Sequence, residues 1–334
     1  MDASRRALLA AAAGLVLLAP HARALQHAQR HLFGSPIDLW LPADAPAAAS
    51  ADVLAGLSAM NARWNAWKPG ELTALNAALR AGRVHRATPA IAALIHGARP
   101  LEAASLGCFN PAIGGLVGAW GFHADDMAPH GSAPDAREIA RWTRSPPSLA
   151  QLEWHGLDVR SRNPSLQLDF GAYAKGVAID WALERLQRRH GVRAALLNLG
   201  GNLGAMGRID GRAWRVGIRD PHGPGLAAAL ATDGHEAVVT SGSYERWRRL
   251  ADGGRATHII DPARGAPAPL LASVTVVHPS AALADAAATA LFVAGPARWR
   301  GIAERMGVDQ VLVIDHDGRR EHTARLGARL QNFA

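Results

Sequence analysis

Two oxygen-bearing side chains, Asp285 and Thr289, stand in the otherwise apolar, alanine-rich run Leu283–Ala290. Spaced four apart, they project from one face of a helix. A carboxylate there is costly to bury unless something pairs with it. A hard cation such as Mg2+, which takes oxygen ligands and often shares them with phosphate, would answer that cost. Two further segments carry chemistry. In Leu168–Gly176 an acid, Asp169, closes a β-rich run, and a small-residue turn then leads to Lys175 at the mouth of a helix. In Thr257–Pro262, His258 brings an imidazole whose ordinary pKa of about 6.5 suits proton transfer. Each has a plainer reading when taken singly: a surface acid, a hydroxyl bonded to its own helix, a structural histidine, a solvated lysine.

The elements that must hold these residues are readable from periodicity. Val53, Leu54, Leu57, Met60 and Trp64 have helical spacing, Glu71–Arg80 continues as a second helix ending near Gly82, and Thr88–His96 forms a third. His123–Asp135, rich in Gly, Pro, His and Asp, reads as an exposed loop. Beyond it come a strand at Ser165–Phe170, a long helix Tyr173–His190 closed by Gly191, and a strand at Ala194–Leu199. Short strands follow at Trp214–Ile218, Glu236–Thr240, Thr257–Ile260 and Ala272–His278. Helices at Ala281–Val293 and Ala297–Met306 then precede a last strand at Gln310–Ile314. Helices come first and mixed elements second, without the regular alternation of a doubly wound sheet, so the fold class is α+β.

Composition narrows the function. The 334 residues can bury a large core, and 49% hydrophobic with 19% charged content is that of a globular protein. The formal charge of +8 is nearly all arginine, since only Lys68 and Lys175 among 36 basic side chains are lysines. No basic block, RNA-binding aromatic pattern or zinc-finger spacing accompanies that charge, which excludes a nucleic-acid role. Arg246, Arg248 and Arg249 read as surface. Residues 1–24 read as a cleavable export signal: Arg5-Arg6, the apolar run Ala7–Ala19, and the small-x-small site Ala22-Arg23-Ala24. Ser4–Leu9 resembles a twin-arginine signal, and a Sec signal fits nearly as well. The run is too short for a membrane span. No lipobox cysteine follows it, and the single Cys108 allows no internal disulfide. The mature protein is expected to be soluble, periplasmic and not membrane-spanning.

Six segments occur together in order: Phe109–Gly114, Asp169–Gly176, Asn198–Asn202, Thr240–Glu245, His258–Pro262 and Ala284–Thr289. In this they resemble the FAD:protein FMN transferases, the ApbE family, over about Phe33 to Ile314. The resemblance implies a single large domain over 25–334, its helix-rich N-terminal part packed on a mixed β/α C-terminal part. It implies an Mg2+-dependent enzyme that splits FAD and attaches FMN by a phosphoester to a Ser or Thr of a target protein, releasing AMP. The acceptor would be a redox protein with a periplasmic domain. Metal positions fall on Ala172 (through its carbonyl), Asp285 and Thr289. FAD-contacting positions fall on Phe33, Trp67, Cys108, Phe109, Asn110, Asp169, Lys175 and Ile259, and the catalytic position on His258. Asn110 stands where Asp is common, Cys108 where a small apolar residue is common, and Phe33 where Met is frequent.

The residue types suit that chemistry. A metal would neutralise linked phosphates, Lys175 would hold one as a point charge, and His258 would take the acceptor's proton. Trp67 and Phe109 offer flat faces for stacking, although aromatics at such positions are also ordinary core residues. Two other functions share these residues: an FAD pyrophosphatase giving FMN to water, and a non-catalytic flavin-binding or carrier protein.

Overall fold

The computed structural model describes residues 8–10, 14–17, 25–124 and 130–331. Its centre is an eight-stranded, wholly antiparallel sheet whose strands lie in chain order: β1 (Leu25–Leu32), β2 (Ser35–Pro42), β3 (Ala195–Leu199), β4 (Asn202–Met206), β5 (Glu236–Gly242), β6 (Leu271–His278), β7 (Val311–Asp315) and β8 (Arg320–His322). The main helices are inserted into this meander. The connection from β2 to β3 holds the helices α1 (Ala47–Trp64), α2 (Glu71–Arg80), α3 (Pro89–Ala104) and α4 (Ala174–His190), and that from β6 to β7 holds α5 (Ala281–Met306).

Both sheet faces are covered, which is why the inner strands are buried at every residue rather than at alternate ones. Leu39, Leu197, Val239, Val274 and Val313 point into the helical layer, against Ile179 and Leu183 of α4 and Leu291 of α5. Their neighbours Trp40, Leu196, Val238, Val277 and Leu312 face the other way, onto Val216, Ile218 and Leu230 of the ribbon Arg215–Arg219 and Leu226–Ala231. The result is one α+β domain, a sheet between helices and a ribbon.

Several expected elements hold, and four differ. Ser165–Phe170 is no strand: Gln167 bridges Ile113, and Leu168 spends its N–H and C=O on the Asn76 side-chain amide at 2.8 and 2.9 Å. The amide stands in for a neighbouring strand, so the backbone is satisfied without a sheet. α3 runs past His96 to Ala104, and Gly97 leaves the room that the Tyr173 hydroxyl fills, 2.5 Å from where a Cβ would sit. The Thr257–Ile260 strand divides into Arg255–Thr257 and Ile260–Asp261, freeing His258 between them. The two late helices join as α5, kinked where Gly295 takes φ 71° before Pro296.

Of the expected export signal, the arginine pair and the small-x-small site lie outside the described residues. Within its apolar run, Leu8–Ala10 pairs with Gly14–Leu17, and the latter pairs with Arg215–Arg219 at the ribbon's open edge. Unpaired edge groups template such an added strand. Among the described residues no helix is long and apolar enough to cross a membrane.

Candidate active site

The site begins where the N-terminal ends of α4 and α5 meet. Asp180 on α4 accepts from Ala281 N (2.7 Å), Ala282 N (3.0 Å) and Ser280 Oγ (2.9 Å), closing the start of α5. In return Asp285 of α5 accepts the backbone N–H of Gly176 at 3.0 Å. Asp285 is 3% exposed. Burial pushes its pKa up, countered by the Lys175 charge, the Gly176 N–H and the Asn202 side chain. The Asn202 Nδ2 is buried and lends the carboxylate this support without reaching full hydrogen-bond geometry. One turn along α5, Thr289 Oγ1 lies 3.2 Å from Ser241 Oγ of β5. Ala172 sits half-buried in the turn before α4, where the N–H groups of Tyr173 and Ala174 both donate to Phe170 O.

A carboxylate, a hydroxyl and a backbone carbonyl are all hard oxygen donors and carry one negative charge between them. Among the described residues no group of three or more His, Cys, Asp or Glu could hold a metal. The set therefore suits a hard cation that draws its remaining ligands from water and phosphate, and does not suit zinc. The buried, poorly compensated Asp285 is what such a cation would satisfy.

His258 also feels the Lys175 charge and packs edge-on against Phe122 with centroids 6.4 Å apart. Its Nδ1 lies 3.0 Å from Arg246 O, which can only accept, so Nδ1 carries the proton and the Nε2 lone pair is left for a ligand. Burial, then the charges of Arg246 and Lys175, lower its pKa to about 4. The imidazole is thus neutral and able to receive a proton across the physiological range. Lys175, half-buried in the first turn of α4, acts on Asp285, His258 and Glu245 together.

Another part of the site is aromatic. Asp169 accepts from Gly171 N at 2.8 Å and sits 2.8 Å from His123 Nε2. Burial works to raise its pKa, but the His123 hydrogen bond and charge, the Gly171 N–H and Arg246 prevail and hold it below the usual carboxylate range. His123 in turn stacks on Trp67 with centroids 5.4 Å apart, and the Arg246 guanidinium lies 5.9 Å from the Trp67 ring centre. A cavity of about 300 Å3 opens beside this pair, lined also by Thr73, Asn76, Arg80 and Gln167.

The expected ligand contacts divide into those facing this cleft and those beneath it. Asp169, Lys175, His258, Asp285 and Thr289 converge as described, and Trp67 is half-buried at the edge. Phe33, half-buried in a left-handed turn (φ 53°), is held by Asn61 Oδ1 on its N–H at 2.8 Å. Phe109 is 1% exposed and packs 6.0 Å from Tyr173, so its ring offers no stacking face. Cys108 and Ile259 are likewise buried, and burial raises the Cys108 thiol. Asn110 uses both ends of its amide locally, donating to Pro147 O and accepting from Ala112 N, each at 2.9 Å.

Three residues escaped sequence reasoning. Arg246, expected on the surface, is half-buried and donates to Phe122 O and Ala124 O at 3.3 and 3.2 Å. His123 sat in what reads as an exposed loop. Glu245 closes the Thr240–Glu245 segment; burial first raises its pKa to about 7, and its Oε1 has no hydrogen-bond partner. Only Glu245 had a sequence signal, its place inside that segment.

Residues 33–312 match the ApbE family. The chain is 45% identical over 291 residues to an FAD:protein FMN transferase of Rhodobacter capsulatus, covering 86% of this chain and 55% of that protein. It is 38% identical over 232 residues to one of Treponema pallidum, covering 62% and 61%. The chain thus spans less than two thirds of the length of these relatives. Among solved structures, the Pseudomonas stutzeri flavinyl transferase ApbE in its apo form superposes with TM-score 0.79 at 28% identity, covering 95% of this chain and 100% of that one. The ApbE protein of Thermotoga maritima shares the fold with TM-score 0.84 at 22% identity, covering 92% and 100%. With a family match over most of its length and a relative at 45% identity, this chain belongs to the ApbE family.

Proposed function

We propose that this chain is an Mg2+-dependent FAD:protein FMN transferase, which cleaves FAD at its pyrophosphate and esterifies FMN onto a Ser or Thr hydroxyl of a redox protein. The relatives' names supply the activity. The observation that carries it to this chain is the position of Lys175, whose charge acts on both Asp285 and His258. On this reading a phosphate-binding cation, a carboxylate for a metal and a neutral imidazole serve one cleft, and the Gly176 N–H beside Lys175, which donates to Asp285, supports it.

Asp285, Thr289 and the Ala172 carbonyl would hold the cation, which when bound supplies charge neutralisation on the pyrophosphate. The remaining work falls to the chain. Lys175 holds a phosphate by charge, at a helix start where N–H groups also favour anions. The acceptor hydroxyl loses its proton to His258 Nε2 and its oxygen bonds to the FMN phosphorus. The bond from that phosphorus to the bridging oxygen breaks, and AMP leaves with that oxygen. A negative ligand beside His258 raises its pKa from about 4 toward neutrality, which makes it a better base in the complex than in the free protein.

The decisive experiment incubates the mature protein with FAD, Mg2+ and a candidate acceptor domain. In-gel flavin fluorescence on the acceptor and an equivalent of AMP are expected, and both should vanish in excess EDTA. FMN and AMP released with no labelled acceptor would make the chain a pyrophosphatase. We further propose that residues 1–24 direct export and that the acceptor faces the periplasm; fractionation of cells expressing the full chain checks this.

A further inference from the structure

We propose that His123 is a positioning residue that locks the Asp169 carboxylate and the Trp67 ring into one unit. That unit seats a planar ring bearing a hydrogen-bond donor and turns phosphate away. The proposal rests on the flavin-nucleotide reading above.

Four independent restraints fix His123. Its Nε2 is 2.8 Å from Asp169 Oδ2, and its ring lies 21° from parallel with Trp67 at 5.4 Å. Arg246 donates to the carbonyls of Phe122 and Ala124, the two residues that flank it. Gly118 leaves space for the ring, since a Cβ there would come 2.9 Å from His123 Nδ1. The side chains of His123 and Asp169 are only 12% and 15% exposed, so water competes weakly for their hydrogen bond.

The selectivity follows from what a carboxylate can do. Asp169 Oδ1 takes the Gly171 N–H and Oδ2 takes His123, which leaves each oxygen one further lone pair. A carboxylate only accepts, so the group that meets it must donate: a sugar hydroxyl, an exocyclic amine or a ring N–H. A phosphate would be repelled there and is left to Lys175. Unrestrained, Asp169 could turn to Arg246, and Trp67 would lose the ring stacked on it.

Two variants separate the hydrogen bond from the stack. His123→Phe keeps a ring without an N–H, and His123→Gln keeps an N–H without a ring. FAD dissociation constants are measured by flavin fluorescence quenching in metal-free buffer, beside single-turnover transfer at saturating FAD and a thermal melt. His123→Phe is expected to bind FAD about ten- to a hundredfold more weakly, the loss of one charge-assisted hydrogen bond, with the saturated rate unchanged. His123→Gln should recover about tenfold of that loss. Wild-type affinity in a folded His123→Phe overturns the proposal, as does an equal loss in both variants or a fall in rate without a fall in affinity. If His123→Phe does not fold, His123→Leu takes its place in the comparison with His123→Gln. A wild-type protein that binds no FAD removes the flavin reading itself, a result distinct from any ranking of the variants.

Discussion

Asp180 and Asp285 each serve the other's helix: Asp180 of α4 accepts two N–H groups at the start of α5, and Asp285 of α5 accepts the Gly176 N–H at the start of α4. The exchange joins two helix N-termini, where backbone N–H groups otherwise lack partners. It also draws one carboxylate deep into the protein beside Lys175. The site and the packing of the helical layer are therefore one construction, and changes to either should register in both.

Asp285→Asn tests the metal assignment with the helix contact preserved, because an amide oxygen still accepts from Gly176. Burial disfavours the charged carboxylate, so its removal should leave the Tm in metal-free buffer at or above that of the wild type. Mg2+ should raise the wild-type Tm and leave the variant unmoved, while transfer falls by orders of magnitude. Transfer within a few-fold of wild type at low millimolar Mg2+ would make Asp285 a structural residue only.

Gly176→Ala probes the same junction from the other helix. The added methyl would land on the Ala281 carbonyl and 2.7 Å from Ala282 Cα, both backbone atoms of α5 that cannot swing aside. Overpacking of this kind costs about 1–3 kcal/mol, and it should push Asp285 away from Gly176. A lower Tm with a weaker Mg2+-induced rise is expected; a variant with both at wild-type values would mean that α5 moves freely here.

Much of this arrangement was legible in the sequence, and what was not has a common cause. The late helix with Asp285 and Thr289, the helix mouth at Lys175 and the position of His258 follow from spacing and from segments that recur in the family. The main sheet was only half visible. β2 lies some 150 residues before its partner β3, and pairing over that distance leaves no local pattern. Ser165–Phe170 has the composition of a strand, yet its partner is the Asn76 side chain, which periodicity cannot report. His123 and Arg246 were missed because each gains its role from a distant residue. His123 in a polar loop meets Asp169, and Arg246, in a run of arginines that reads as surface, turns inward to two loop carbonyls.

Away from the site, Asp52 on α1 ties that helix to the C-terminal end of α4. It accepts from Arg185 Nε and Nη2 at 2.7 and 2.8 Å and lies 2.8 Å from His190 Nε2. The Arg185 hydrogen bonds first, then His190, hold its carboxyl well below the usual range. A carboxylate with a depressed folded-state pKa stabilises above its unfolded value and loses that contribution as pH falls. Asp52→Asn should therefore lower the Tm at pH 7, and the gap from wild type should close as pH drops below the ordinary aspartate range of about 3.8. A gap that persists undiminished in acid would assign the effect to packing, not charge.

His258 gives the sharpest separation of chemistry from binding, because its two roles predict different pH responses. In the free protein its pKa is lowered to about 4, against an ordinary value of 6.5. Between these values the unfolded chain binds a proton that the folded chain refuses, so stability is full above about 6.5 and declines as pH falls toward 4. His258→Gln should flatten that part of the Tm profile. In kinetics, kcat/KM reports the free enzyme, so it should show no inflection from His258 between pH 5 and 8 and should fall only near 4. The inflection in kcat should lie higher, since bound phosphate favours the imidazolium. His258→Ala should lower the single-turnover rate with little change in FAD affinity, whereas Lys175→Ala should weaken FAD binding first. Equal loss of binding and rate in His258→Ala, with a kcat/KM profile unchanged in acid, would reduce His258 to a residue that shapes the cleft.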